Sequence, residues 1–295
     1  MSTPVEEPLE PPLVSPSDRG GLQHVFRERY LLKLLVRKEL AARYQGSVLG
    51  LFWSYVQPAV RFSAYFFVIG YVFALHKNMT NFAIHIFAGM VMVHYFTETF
   101  TSGTRSIVRN KRIIQKLPLP RELFPVSSML VSAYHTLPQM VILLVGVLIA
   151  GWNPGLYDVA AGLVGFSIIA VFGMALALIF SAANVFFRDF QNIVQTFTIF
   201  VTWSVPMIYP YDRIKNLFGG TWAEEVYLAN PIAEGVMLFQ HLFWVPTVGP
   251  DAEYPVVLPD HLMTRGLITL AACLVALAIA QKVFTRLEGK FAERL

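Results

Sequence analysis

The chain has 295 residues, of which 55% are hydrophobic and only 14% charged, against roughly a quarter charged in soluble domains, and its mean hydropathy is +0.54. A net charge of +4 and a pI near 9.1 are compatible with nucleic-acid binding, but the Lys and Arg residues gather beside apolar segments, where membrane topology explains them better. Cys273 is the single cysteine, which excludes an intrachain disulfide and a Cys-rich metal site.

Residues 1–23 are rich in Pro, Glu and Ser and lack the basic and apolar regions of a signal peptide, so a disordered tail is expected. From 24 to 44 a helix follows in which Arg29, Lys33 and Arg37 recur every four residues and Tyr30, Leu31, Leu34 and Leu35 occupy another face. Such a helix lies along a membrane surface, and Lys38, near its apolar face, marks a protein contact there. Gly46, Ser47 and Gly50 turn the chain into a first span, 49–75, interrupted early by Pro58. Arg61 lies a short way inside that span, either facing protein or a water-filled cavity or snorkelling to the interface. Asn78-Met79-Thr80 fits a glycosylation acceptor, a three-residue match too short to carry weight. A second span, 84–103, carries Glu98 near its basic end, within expected reach of a basic residue of the next loop.

That loop, 105–125, is the dense basic block of the chain, with Arg105, Arg109, Lys111, Arg112, Lys116 and Arg121. It fixes the orientation, since Lys and Arg beside spans bias a short loop to the cytoplasmic side. Its first half can be helical; Pro118, Pro120 and Pro125 make the second half a stiff knuckle. The loop reads either as a solvated topogenic segment or as a docking element for a cytosolic partner. A third span, 126–150, and a fourth from 159 follow, joined by a turn at Trp152 to Gly155 without Lys or Arg. The fourth carries Ala161 with Gly165 and Gly173 with Ala177, small residues four apart that permit close helix approach. A corner at 184–191, holding Arg188 and Asp189, leads to a fifth span, 193–209. In the outer segment 211–260, Asn230 before Pro231 starts a helix. Its run of ~15 residues reaches ~22 Å, short of the ~30 Å of hydrocarbon, so it is re-entrant or interfacial, serving as a surface lid or an external gate. A sixth span, 262–284, returns to Lys282, Arg286, Lys290 and Arg294. The expected fold is therefore an all-α polytopic membrane protein of six transmembrane helices, with an amphipathic interface helix, short outer re-entrant helices and both termini inside.

Phosphate-binding, zinc and nucleophile-elbow motifs are all missing from the sequence. His94, His135 and His241 read as interfacial or packed rather than as metal ligands. Two classes survive: a transport subunit powered by another protein, and an integral-membrane transferase acting on lipid-linked glycans. A transferase needs convergent carboxylates, whereas Asp158, Asp212, Glu224, Glu225 and Asp251 are dispersed, so transport is favoured.

Residues 37–53, Gln57-Pro58, the block 117–125, the corner 184–189 and Ala229-Asn230-Pro231 together resemble the permeases of ABC-2 type polysaccharide exporters, over nearly the whole chain from about residue 24. The likeness is greatest to the O-antigen export branch and, within it, to actinobacterial permeases for lipid-linked galactan. It implies that 24–295 is one ABC-2 type transmembrane domain in a homodimer in the bacterial inner membrane. It also implies a separate cytosolic ATPase that binds the ATP and Mg, leaving this chain a non-enzymatic subunit without a cofactor of its own and raising the docking reading of the basic loop. The coupling candidates are Arg109, Lys111, Arg112, Arg121 and Glu122 in that loop, with Arg188 and Asp189 at the corner. Trp53, Tyr65, Phe66 and Tyr71 are candidates for a channel on which sugar rings slide. Asn230, Pro231, Phe239, Phe243 and Trp244 are those for an outer gate. The acidic, Pro-rich tail is a departure from the family pattern, and Arg61 is a position not matched to it.

Overall fold

The computed structural model describes residues 21–46, 50–117, 119–249 and 252–294. Among them every regular element is a helix. Helices α1 (Gly21–Arg27) and α2 (Arg29–Tyr44) replace the single helix expected from 24 to 44, meeting at the non-helical Glu28. The first of them takes in residues 21–23, assigned to the tail above; the rest of that tail, 1–20, lies outside the described residues. Val25 and Leu35 are buried against Ile107, Leu123, Phe124 and Phe284, while Tyr30, Lys33, Leu34 and Arg37 point outward. Lys38 does make a protein contact, its Nζ donating to Asn110 Oδ1 at 2.7 Å.

Helix α3 (Trp53–Tyr65) runs through Pro58 rather than being interrupted there. The break comes at Phe66–Val72, which is π-helical, followed by left-handed Ala74. Crowding accounts for it: Phe62, Phe66, Phe82 and Tyr71 contact ring to ring, and a Cβ on Gly70 would lie 2.7 Å from the Phe82 ring. Local widening of the helix relieves such packing.

The axis of the fold is α4 (Phe82–Arg109), whose 28 residues extend about 42 Å. Against it pack α6 (Leu123–Ile149), α7 (Leu156–Phe186), α8 (Phe190–Ser204) and α11 (Pro231–Phe243), and α12 (Leu262–Glu288) lies on the far side of α7. Short helices α5 (Lys111–Ile114), α9 (Tyr211–Phe218), α10 (Trp222–Leu228) and α13 (Phe291–Arg294) complete the described elements. Pro125 does not break the chain as expected, because it falls in the first turn of α6, where its missing N–H has no partner to lose.

Helices α6, α7 and α12 are each long and apolar enough to cross a membrane. The other three expected spans depart from that pattern for separate reasons: α3 is cut short by the π-helical stretch, α4 is long but carries a row of polar residues, and α8 has only 15 residues, or about 22 Å. The chain is an all-α polytopic membrane protein. One end gathers Ile107, Leu123, Val185 and Phe284 with the Lys and Arg residues around them and is called the basic end below.

At the opposite end α11 is wedged between α4, α7 and α12, with Ile232 through Gln240 buried, so it packs inside the bundle rather than lying on it as a surface lid. Small residues permit the wedge. A Cβ on Gly165 would lie 2.6 Å from the Gly235 carbonyl oxygen, and one on Gly103 2.5 Å from the Ala177 Cβ. The two small-residue pairs of α7 thus serve different neighbours, Ala161 and Gly165 approaching α11 and Gly173 and Ala177 approaching α4. Asn230 caps α11 as expected, accepting from the Ile232 N–H at 3.0 Å with Pro231 at the first position.

Candidate functional site

A row of polar side chains, uncharacteristic of a span, lies where α2, α3, α4 and α6 meet. Glu98 of α4, its side chain 9% exposed, pairs with Arg43 of α2, and His135 Nδ1 of α6 and His94 Nε2 of α4 lie 3.1 and 3.3 Å from its carboxylate. The expected partner was a basic residue of the following loop. The first basic residue of that loop, Arg105, lies about two turns further along α4, and α2 supplies the cation instead. Nearer the basic end, Arg109 pairs with Glu39 at 2.8 Å and Lys38 reaches Asn110. Lys38, Glu39 and Arg43 therefore fasten α2 to α4.

These groups border two neighbouring cavities. The smaller, about 200 Å³, lies among Trp53, Gln57, Arg61, His94, Glu98 and Gln139. The larger, about 730 Å³, reaches the basic end past Lys38, Arg105 and Arg109. Arg61 lines both, and also a third of about 320 Å³ with Tyr65, Thr198 and Trp203. It is thus a cavity residue, and among the described residues it has no ion-pair or hydrogen-bond partner.

The sequence-derived coupling candidates fall into two groups. Arg112, Arg188 and Asp189 are exposed, flanked by the apolar Leu117 and Phe187, which are 53% and 69% exposed. Lys111 is half-buried in α5. Arg109 is held by Glu39. Arg121 donates to the Glu288 carbonyl and lies over the Phe291 ring, and the buried Glu122 accepts from Gln281 Nε2 at 2.8 Å. Asn184 donates to the Thr104 carbonyl at 3.2 Å, tying the corner at Arg188 to the end of α4.

Of the channel candidates, Trp53 borders the smaller cavity and Tyr65 the third, while Phe66 and Tyr71 belong to the ring cluster of the π-helical stretch. Among the gate candidates, Phe239 and Phe243 pack together and Trp244 Nε1 donates to the Thr80 carbonyl at 2.8 Å. Gln240, 1% exposed, donates to the carbonyls of His85 and Pro206, tying α11 to α4 and to the segment after α8. Beside α11, Tyr211 hydrogen bonds Glu224 and Arg265 takes Glu225 with two bonds of 2.9 Å. Those contacts hold both carboxyls below the usual range.

Sequence reasoning missed Arg43, Gln57 and Gln139 and read His94 and His135 as individual packed residues. A signal was present. His94 with Glu98 and His135 with Gln139 are each four apart, which puts two polar side chains on one face of a span.

The profile of the ABC-2 type transporter family matches residues 30–244. Curated relatives include two proteins of Klebsiella pneumoniae, each named O-antigen export system permease protein RfbA. One is 26% identical over 90% of this chain and 95% of its own length, the other 28% identical over 93% and 100%. A Myxococcus xanthus protein of the same name is 28% identical, covering 93% of this chain and 98% of its own length.

Proposed function

The chain belongs to the ABC-2 type transporter family, and on that premise we propose that it is the membrane permease subunit of a polysaccharide exporter, moving a lipid-linked glycan such as a galactan. The carrying observation is similarity to O-antigen export permeases along nearly the full length of both partners. A transferase is disfavoured because three of the carboxylates that would have to converge have partners of their own, Asp158 3.0 Å from His241, Glu224 with Tyr211 and Glu225 with Arg265, while Asp251 lies outside the described residues.

In this reading the basic end faces the cytoplasm of a bacterial inner membrane and receives a separate ABC ATPase, which holds ATP and Mg. Arg112, Arg188 and Asp189, with Leu117 and Phe187 beside them, form the contact surface. Lys111, Arg109, Arg121 and Glu122 transmit its movement into α2, α6 and α12. A second copy packs along the exposed faces of α3 and α8, and the glycan passes between the copies, past Trp53, Tyr65, Phe66 and Tyr71. Helix α11, started by Asn230 and Pro231 and anchored through Phe239, Phe243 and Trp244, shifts to release it.

The purified chain alone should hydrolyse no ATP, and pulling it from its native membrane should bring an ATPase with it; deleting the gene should leave glycan on the inner leaflet. Turnover by the chain alone, or unchanged export in the deletion strain, would overturn the proposal. For orientation, cysteines replacing the exposed Lys116 and Thr221 in a Cys273→Ala background suit the purpose, whereas the fully buried Ser106 would report nothing. An impermeant reagent should label Thr221→Cys in intact cells and spare Lys116→Cys; the reverse pattern would invert the topology.

A further inference from the structure

The smaller cavity contains an unmet demand. Gln139, 1% exposed, has its Oε1 buried without a hydrogen-bond partner, while its Nε2 lies 2.6 Å from His94 Nδ1. Either orientation of the amide leaves one polar atom unsatisfied, a cost of about 1–3 kcal/mol that buried groups seldom bear. Arg61 faces the same space with free donors, and Gln57 adds another amide. Trp53, 44% exposed, offers an indole beside them.

The matching ligand therefore hydrogen bonds to the free Gln139 amide atom, whichever way the amide faces, accepts from the Arg61 guanidinium and presents an apolar face to Trp53. Phosphate would meet Arg43 and Arg61 there, but it carries no apolar face and leaves the Trp53 indole unmatched. An acyl chain would satisfy none of these groups. A sugar ring satisfies them, with hydroxyls at its rim and a C–H face for the indole. At about 200 Å³ the cavity is smaller than the ~300–1,000 Å³ of drug-sized sites, so it admits one ring and not a stretch of polymer. The larger cavity, which shares Arg43, Arg61, His94 and Glu98 with it as wall residues, extends alongside it to the basic end.

We propose that the smaller cavity is a monosaccharide subsite that takes the single sugar joined to the lipid carrier, with Gln139 reading one of its hydroxyls and Trp53 stacking on its ring. This rests on the chain exporting a carrier-linked glycan. The subsite gives the permease a means of recognising the start of a chain, independent of its length.

The test uses the full chain with its ATPase in nanodiscs and two probes: farnesyl diphosphate, and farnesyl diphosphate bearing one galactosyl or N-acetylglucosaminyl residue. At least one sugar-bearing probe should bind about tenfold tighter than the sugar-free lipid. Gln139→Met, which keeps the volume, should abolish that preference while leaving affinity for the sugar-free lipid unchanged. Trp53→Leu, on a half-exposed residue, should reduce it several-fold and Trp53→Phe restore it. Equal affinity of wild type for all probes, or equal loss for sugar-bearing and sugar-free lipid in the variants, would overturn the subsite. Either result leaves the export reading intact, since that reading stands or falls on the deletion strain and the co-purified ATPase.

Discussion

Replacing Gly165 by leucine should lower the melting temperature of the purified protein by about 6–12 °C and abolish export, because α11 can no longer seat against α7. A Cβ at this position would already lie 2.6 Å from a backbone oxygen of Gly235, 2.9 Å from the Leu238 Cβ and 3.0 Å from the Phe239 nitrogen. The first and last of these are backbone atoms, which cannot rotate away. Overpacking in a fixed core costs about 1–3 kcal/mol, and a backbone clash belongs at or above the top of that range. Each kcal/mol corresponds to about 2–4 °C in a chain of this size. Gly146 is the matched control, since nothing lies within 4 Å of a Cβ built there. Alanine at Gly146 should leave stability unchanged or raise it by up to about 1 kcal/mol through helix propensity. A Gly165→Leu protein that melts with wild type would mean that α7 and α11 are not in contact.

Much of this architecture was legible in the sequence because it depends on local rules. The positions of α6, α7 and α12 follow from apolar length, the start of α11 from Asn230-Pro231, and the close approaches of α7 from small residues four apart. Lys38 was legible as a contact because it broke an amphipathic pattern. Prolines misled, since Pro58 and Pro125 cost little where the lost hydrogen bond is absorbed by neighbours or never existed. Crowded aromatic rings, which no proline marks, broke the first span instead. The cavity was hidden for a different reason. Its wall is assembled from Arg43, Arg61, Glu98 and Gln139 on four different helices, and no local pattern says which helices meet. Seen singly, Glu98 calls for a cation but does not name α2 as its source.

Charge reversal at Arg109 should reduce export severely, and two causes are separable. One, on the proposed function, is disturbance of the docked ATPase by the changed charge at the basic end. The other is internal: Arg109 lies 2.8 Å from Glu39, whose side chain is 8% exposed, so Arg109→Glu sets two carboxylates together and loosens α2 from α4. Breaking a fully buried pair costs about 3–5 kcal/mol, but the Arg109 side chain is 49% exposed, so about 1–2 kcal/mol is expected here. The exchange Arg109→Glu with Glu39→Arg separates the causes, because it restores the internal pair while keeping the reversed charge at position 109. Arg188→Glu provides the reference for a purely external contact: it is exposed, and its reversal should cut export without moving the melting temperature. Should the exchange recover both stability and export, Arg109 acts by holding α2 in place. Should it recover stability alone, with export as low as in Arg188→Glu, Arg109 touches the partner, and the ionic attachment of α2 is not what couples ATP hydrolysis to transport.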